Sequence, residues 1–354
     1  MDILGIVGIL LGILTIILFI VKKFNIIVAA PIATIVVLLF NDVPILETVF
    51  GKENSYMTAL AGFVASNFAI FLLGSILAKY MDKAGATIAI ANKVLSIVGT
   101  KNPYNALVAL FIISAILTYG GINVFVIIFA LVPMAKPIFK QLNISWKLVI
   151  IPIFGGTSTF TMTMLPGALI GIVASIVVII FILVFMKISL SRSLRKGETF
   201  TADGKDETSS ANVDRELPGF IVSLLPIVTL LSIILLFSSV SNIIIVALIV
   251  AIVLSAILFR KQIAAQKDIL NQGANESLGS TITTGSTIAF GSIATGVPAF
   301  KGVFQLIQSI PGPPVLSLMI GTGLIGGITA SAVGAIGDSR NSFRSITKRF
   351  KSYL

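Results

Sequence analysis

GGTSTFTMTMLPG, residues 155–167, interrupts otherwise apolar sequence, and GGITASAVGAIG, residues 326–337, repeats that chemistry in the other half of the chain. Backbone that leaves helical geometry at membrane depth exposes N–H and C=O groups at a cost of several kcal/mol each. Such backbone is therefore tolerated only where it is buried in protein or lines a wet cavity. One break per half is the pattern of a substrate site between two repeats.

Outward from these stretches, the composition sets the class. Hydrophobic residues make up 56% of the 354 and charged residues only 11%, with a mean hydropathy of +1.07, far from the ~25% charged of soluble domains. An all-α polytopic membrane protein is expected. At about 20 apolar residues per span, the chain has room for roughly eight to ten crossings or half-crossings. There is no histidine and no cysteine, which removes disulfides, the usual zinc and haem ligands, and any nucleophile that depends on a histidine base. No enzyme, metal or cofactor is expected. The formal charge of +11 does not point to nucleic acid, because the Lys and Arg residues cluster beside apolar runs, as the positive-inside rule requires.

Along the chain, residues 3–21 read as a first span closed by Lys22 and Lys23. A signal peptide is disfavoured, since the charges follow the apolar core instead of preceding it. Residues 24–40 return, and residues 57–78 cross again toward Lys79 and Lys83. Residues 87–98 are too short to span and read as an interfacial or re-entrant arm. The apolar run 106–135 is too long for one span and is expected to break at Tyr119, Gly120 and Gly121. Residues 169–188 form a clean span ended by Arg192, Arg195 and Lys196, and residues 220–240 and 243–259 an antiparallel pair turned at Ser241 and Asn242. Residues 273–307 are rich in Gly, Ser and Thr, which lowers helix propensity, so a broken hairpin is expected there.

The domain reading is a first transmembrane repeat, 1–188; a polar cytoplasmic linker, 189–217; a second repeat, 218–337; and a basic tail, 338–354. In each half a Gly-broken segment ends in Val-Pro (Val132-Pro133 and Val297-Pro298), followed by a short amphipathic piece, a turn and a Gly-Gly-interrupted span. That order of parts predicts two inverted-topology repeats with broken helices and re-entrant hairpins.

The stretches YGGINVFVIIFALVPMAKPIF (119–139), FGGTSTFTMTMLPG (154–167), GANES (273–277), AFGSIATGVPAF (289–300) and GGITASAVG (326–334) resemble the gluconate permease family of proton-coupled symporters, within the wider ion transporter superfamily. The resemblance runs from about residue 62 to about residue 337. It implies proton-coupled uptake of gluconate or a related small organic anion across the inner membrane, by alternating access. Two departures stand out. Ala168 begins the next span directly after Pro166-Gly167, where the family carries a further polar loop. Residues 338–354, DSRNSFRSITKRFKSYL, replace an apolar helix and read as a basic surface segment or a frameshifted end. A truncated or degenerate member without transport activity is therefore one alternative. A cation or proton exchanger on the same scaffold is another, weakened by the scarcity of acidic residues.

An anionic sugar acid can be held without a buried arginine, because a half-helix N-terminus offers free N–H groups and partial positive charge. Hydroxyls suit a polyol. The candidate substrate-binding residues are Gly120, Gly121 and Asn123; Thr157, Ser158, Thr159, Thr161 and Thr163; and Gly327, Thr329 and Ser331. Against this stands the bland possibility that small and hydroxyl residues merely let helices pack closely. Candidates for proton coupling are Glu276 and Asp82, the latter more simply read as a solvated ion pair with its neighbours Lys79 and Lys83. Glu276 has its own bland reading, as a cap of a helix N-terminus. Lys301 reads as a snorkelling anchor. The expected partners are a small organic anion, protons and the lipid bilayer. The sequence leaves homo-oligomerisation open.

Overall fold

The computed structural model describes residues 3–99, 102–119, 124–161, 169–200, 217–263 and 265–308, and among the described residues the regular structure is helical, with no strand. Contacts group the chain into two compact units, one joining residues 1–68 to 278–354 and the other containing residues 69–277. The division falls inside two long helices, α4 and α12 below.

The first unit begins with α1 (Ile3–Val21) and α2 (Ile26–Leu39). Asn25 caps α2 by accepting a 3.0 Å hydrogen bond from the Ile27 amide, which satisfies one of the orphan N–H groups of a helix start. The two helices meet along small residues. Gly5, Gly8, Ile9 and Gly12 are the buried face of α1, and Ala29, Ala30, Ala33, Thr34, Val37 and Leu38 that of α2. Apart from Ile9, Val37 and Leu38 in that contact, many large residues of these helices, including Ile3, Leu10, Leu14, Ile17 and Leu39, are exposed. This inversion of the soluble pattern is expected where lipid is the solvent, because helix association then relies on close van der Waals packing. Asn41 is buried and donates from Nδ2 to the Gly5 carbonyl at 3.2 Å and the Val37 carbonyl at 2.8 Å, tying the end of α2 to the start of α1.

A short helix, α3 (Ile45–Phe50), leads to α4 (Tyr56–Lys83), which is 28 residues long. Its N-terminal part packs in the first unit on the C-terminal part of α12 (Gln266–Gly296). There Gly285 faces Leu60 and Phe63, and the Tyr56 hydroxyl donates to the Ser286 carbonyl at 3.4 Å. Helix α13 (Phe300–Gln308) closes the described part of this unit and packs on α1. Lys301 on α13 is exposed.

The second unit holds α5 (Ala86–Val98), α6 (Pro103–Tyr119), α7 (Val124–Gln141), a 3-10 turn (Trp146–Val149), α8 (Ile150–Thr161), α9 (Leu169–Arg195), α10 (Phe220–Leu236) and α11 (Ile243–Leu258). Helix α5 buries Ala86, Thr87, Ile90, Ala91 and Leu95 on one side and packs on α7 and α10. The expected arm is thus a helix whose apolar face is covered by protein. Helices α10 and α11 pack together across a short turn in which Asn242 takes φ 58°, the left-handed conformation that asparagine tolerates. The antiparallel pair appears as expected.

Three expectations are corrected. Residues 155–161 are not unwound, because α8 runs helically from Ile150 through Gly155-Gly156 to Thr161. Residues 273–296 are not a broken hairpin but part of one 31-residue helix. The two Val-Pro steps also differ. Helix α7 continues through Pro133 and Pro137 to Gln141, whereas α12 stops at Gly296, just before Val297-Pro298. A proline inside a helix removes one hydrogen bond and clashes with the preceding turn, but the buried face of α7, from Val126 to Phe139, holds that helix together. Glycine and hydroxyl residues lower helix propensity by no more than about 1 kcal/mol each, and a surrounding protein face offsets that. Among the described residues, four helices are long and apolar enough to cross a membrane: Ile3–Val21, Tyr56–Lys83, Val124–Gln141 and the stretch Ile176–Arg195 of α9.

Candidate functional site

The described part of the first candidate stretch lies where α8 meets α6. Gly156 sits directly on the α6 backbone: a Cβ there would come within 2.6 Å of the Phe111 carbonyl oxygen, 2.8 Å of Ser114 Cβ and 2.9 Å of the Ala115 nitrogen. Gly155 similarly faces Ile182 of α9 and the Phe111 ring. The Ser114 hydroxyl donates to the Ile153 carbonyl at 2.6 Å, a buried bond between the two helices. Thr157 is 4% exposed, and its hydroxyl donates back to the carbonyls of Ile153 at 3.2 Å and Phe154 at 3.0 Å. For Gly155 and Gly156, small size serves helix contact.

Ser158, Thr159 and Thr161 continue α8. Gly120, Gly121, Asn123, Thr163, Gly327, Thr329 and Ser331 lie outside the described residues, as does the C-terminal tail 338–354.

The charged candidates separate. Glu276 is the residue at which α12 meets a cation: its Oε1 lies 2.6 Å from Lys79 Nζ of α4. It stands well inside α12, not at its N-terminus. One turn earlier on both helices, Gly273 lies against Ile76, and a Cβ there would fall 2.7 Å from Ile76 Cα and 2.9 Å from its nitrogen. The glycine lets the two backbones approach, and the ion pair follows on the same face. Asp82 is exposed, and Lys79 turns to Glu276, so the local pairing expected for Asp82 with Lys79 is replaced by a bond between helices. A sequence reading misses Lys79 as a partner because 197 positions of chain separate it from Glu276; only the Gly273 spacing, one turn before the acid, hints at a helix crossing there.

A further polar feature has no sequence signal. The Thr87 hydroxyl is fully buried and has no hydrogen-bond partner among the described residues. It lines a cavity of about 10 Å³ with Phe129, Pro133 and Met134 of α7. Among the described residues no group of three or more His, Cys, Asp or Glu side chains is placed to hold a metal ion.

No family model matches the chain, and no solved structure matches it. Over 150 residues the chain is 36% identical to a Bacillus subtilis (strain 168) protein named "Uncharacterized transporter YxjC", a stretch covering 41% of this chain and 30% of that protein. The chain therefore matches less than a third of the length of this curated relative, to which it is similar in sequence.

Proposed function

We propose that the chain belongs to a secondary active transporter of the inner membrane, one that takes up gluconate or a related small organic anion together with protons by alternating access. The observation that carries the reading is the presence, among the described residues, of four apolar helices of membrane-spanning length in a chain that over 41% of its length is similar to a protein named a transporter. The substrate class rests on the Gly- and hydroxyl-rich stretches and their resemblance to gluconate permeases. In this reading, two inverted repeats contribute Gly120, Gly121, Asn123 and the 157–163 hydroxyls from one side and Gly327, Thr329 and Ser331 from the other. Substrate carboxylate is held by helix-end N–H groups and substrate hydroxyls by Ser and Thr side chains. Glu276, the acid whose carboxylate meets Lys79 of another helix, is the proton-coupling group in this reading, because its protonation would break that pair.

The test is uptake of radiolabelled gluconate, with and without a proton uncoupler, in cells that lack their own permeases, with Thr159→Val alongside. Uncoupler-sensitive uptake that the variant loses supports the reading. Membrane-inserted chain with no uptake of any sugar acid overturns the substrate assignment.

A further inference from the structure

The exposed side of α9 changes chemistry abruptly along its length. Ile176, Val177, Ile180, Phe181, Val184 and Phe185 form one exposed apolar stripe with the i, i+1, i+4, i+5 spacing of a single helix face, and the Phe181 and Phe185 rings lie nearly parallel with centroids 6.1 Å apart. The same face then carries Lys187, Ile188, Ser191, Arg192 and Arg195, whose side chains border an open, shallow groove of about 310 Å³ on this one helix, lined almost wholly by their apolar atoms, with the cationic heads at its rim. None of these three cations is in an ion pair among the described residues. The nearby acid, Glu198, accepts a 2.8 Å hydrogen bond from Ser193, which is buried and so lies off the exposed face.

We propose that this groove is a binding site for one anionic phospholipid. Its phosphate is held by Lys187, Arg192, Arg195 and the Ser191 hydroxyl, and an acyl chain lies along Phe181, Phe185 and the aliphatic residues above them. The occupant follows from charge and shape together. Guanidinium groups bind phosphate oxygens in pairs of parallel hydrogen bonds, and a flexible lysine stem lies along apolar surface while its head reaches the same phosphate. A soluble phosphate would need the cations but not the stripe, and a neutral lipid the stripe but not the cations. A headgroup with net negative charge and an attached chain uses both. Basic clusters at the cytoplasmic end of a membrane helix gain affinity from each cation for such lipids. The site is independent of the transported substrate.

The full-length chain, purified in a neutral detergent, is incubated with equal amounts of phosphatidylglycerol and phosphatidylcholine carrying identical acyl chains, and retained lipid is counted by native mass spectrometry. The expected result is selective retention of phosphatidylglycerol, falling about fivefold for each cation removed in the series Lys187→Ala, Arg192→Ala and Arg195→Ala. Lys22→Ala/Lys23→Ala, at the end of α1, should leave the preference unchanged. Phe181→Ser/Phe185→Ser should weaken retention although every charge remains. Each variant is carried forward only if its helix content by circular dichroism equals that of the parent, and the charge-conserving Arg192→Lys/Arg195→Lys serves where the alanines fail to fold.

Equal retention of the two lipids overturns the proposal. So does complete displacement of phosphatidylglycerol by millimolar inorganic phosphate, which would make the site one for free phosphate. A preference that appears only after residues 201–216 are deleted also overturns it, since the acidic side chains of that segment would then be the occupant.

Discussion

Glu276 Oε1 lies 2.6 Å from Lys79 Nζ, one turn beyond the point where Gly273 of the same helix rests on the backbone of Ile76. A tight helix crossing and a charge pair thus share one face of α4 and α12. The Lys79 side chain is 20% exposed and that of Glu276 57%, so in a watery surrounding the pair contributes about 0.2–1 kcal/mol. Lys79→Glu should lower the melting temperature of the purified chain by placing like charges together, and Lys79→Glu/Glu276→Lys should restore most of the loss. A double variant no more stable than its parts would break the assignment of the pair.

If Glu276 also couples the proton, Glu276→Gln should leave substrate exchange intact while uptake ceases to respond to the proton gradient. The comparison of exchange with net uptake separates this outcome from simple misfolding. Equal loss of both would remove the coupling role.

The glycines predict stability changes of opposite sign. Gly156→Ala should cost about 1–3 kcal/mol, since its Cβ would meet the Phe111 carbonyl oxygen at 2.6 Å and the Ala115 nitrogen at 2.9 Å, neither of which is the end of a flexible side chain. Gly279→Ala on α12 meets nothing within 4 Å and should add about 1 kcal/mol through helix propensity. Thermal melts of the two variants beside the parent decide the matter.

Thr87→Val should stabilise the chain by about 1 kcal/mol. The hydroxyl is buried with no partner among the described residues, and its removal recovers the desolvation cost of an unpaired polar group while keeping the side-chain shape. A loss of stability would show that the hydroxyl is hydrogen-bonded in the protein.

Because the chain contains no cysteine, single cysteines report topology cleanly. Ser209→Cys, in the polar segment before α10, should react with a membrane-impermeant maleimide only after cells are opened. Ser241→Cys, in the turn between α10 and α11, should react in intact cells. The reverse pattern would invert the proposed orientation.

The helical class was legible in the sequence because hydropathy of this size leaves few alternatives to helices that satisfy their own backbone. Helix α1 was legible to the residue, since Lys22 and Lys23 end an apolar run; the α10–α11 pair around Asn242 was legible in its starts and its turn, but α10 ends at Leu236, four residues before the expected Val240. The continuity of α8 and α12 was not legible. Gly, Ser and Thr carry a weak local preference against helix that packing on a neighbouring backbone overrides, as Gly156 on Phe111 and Gly273 on Ile76 demonstrate. Candidate residues such as Thr157 could be named from chemistry alone, but not the carbonyls of Ile153 and Phe154 to which its hydroxyl is directed.

What the sequence determined by itself is the solvent this chain is built for: apolar length, the absence of histidine and cysteine, and lysines and arginines gathered at helix ends are properties of composition and order. What only the tertiary structure decided is which of the small and polar residues meet. The pairing of Lys79 with Glu276, the burial of Thr87 and the seating of Gly156 on α6 join positions far apart in the chain. Such contacts depend on how helices cross, which local preference does not encode.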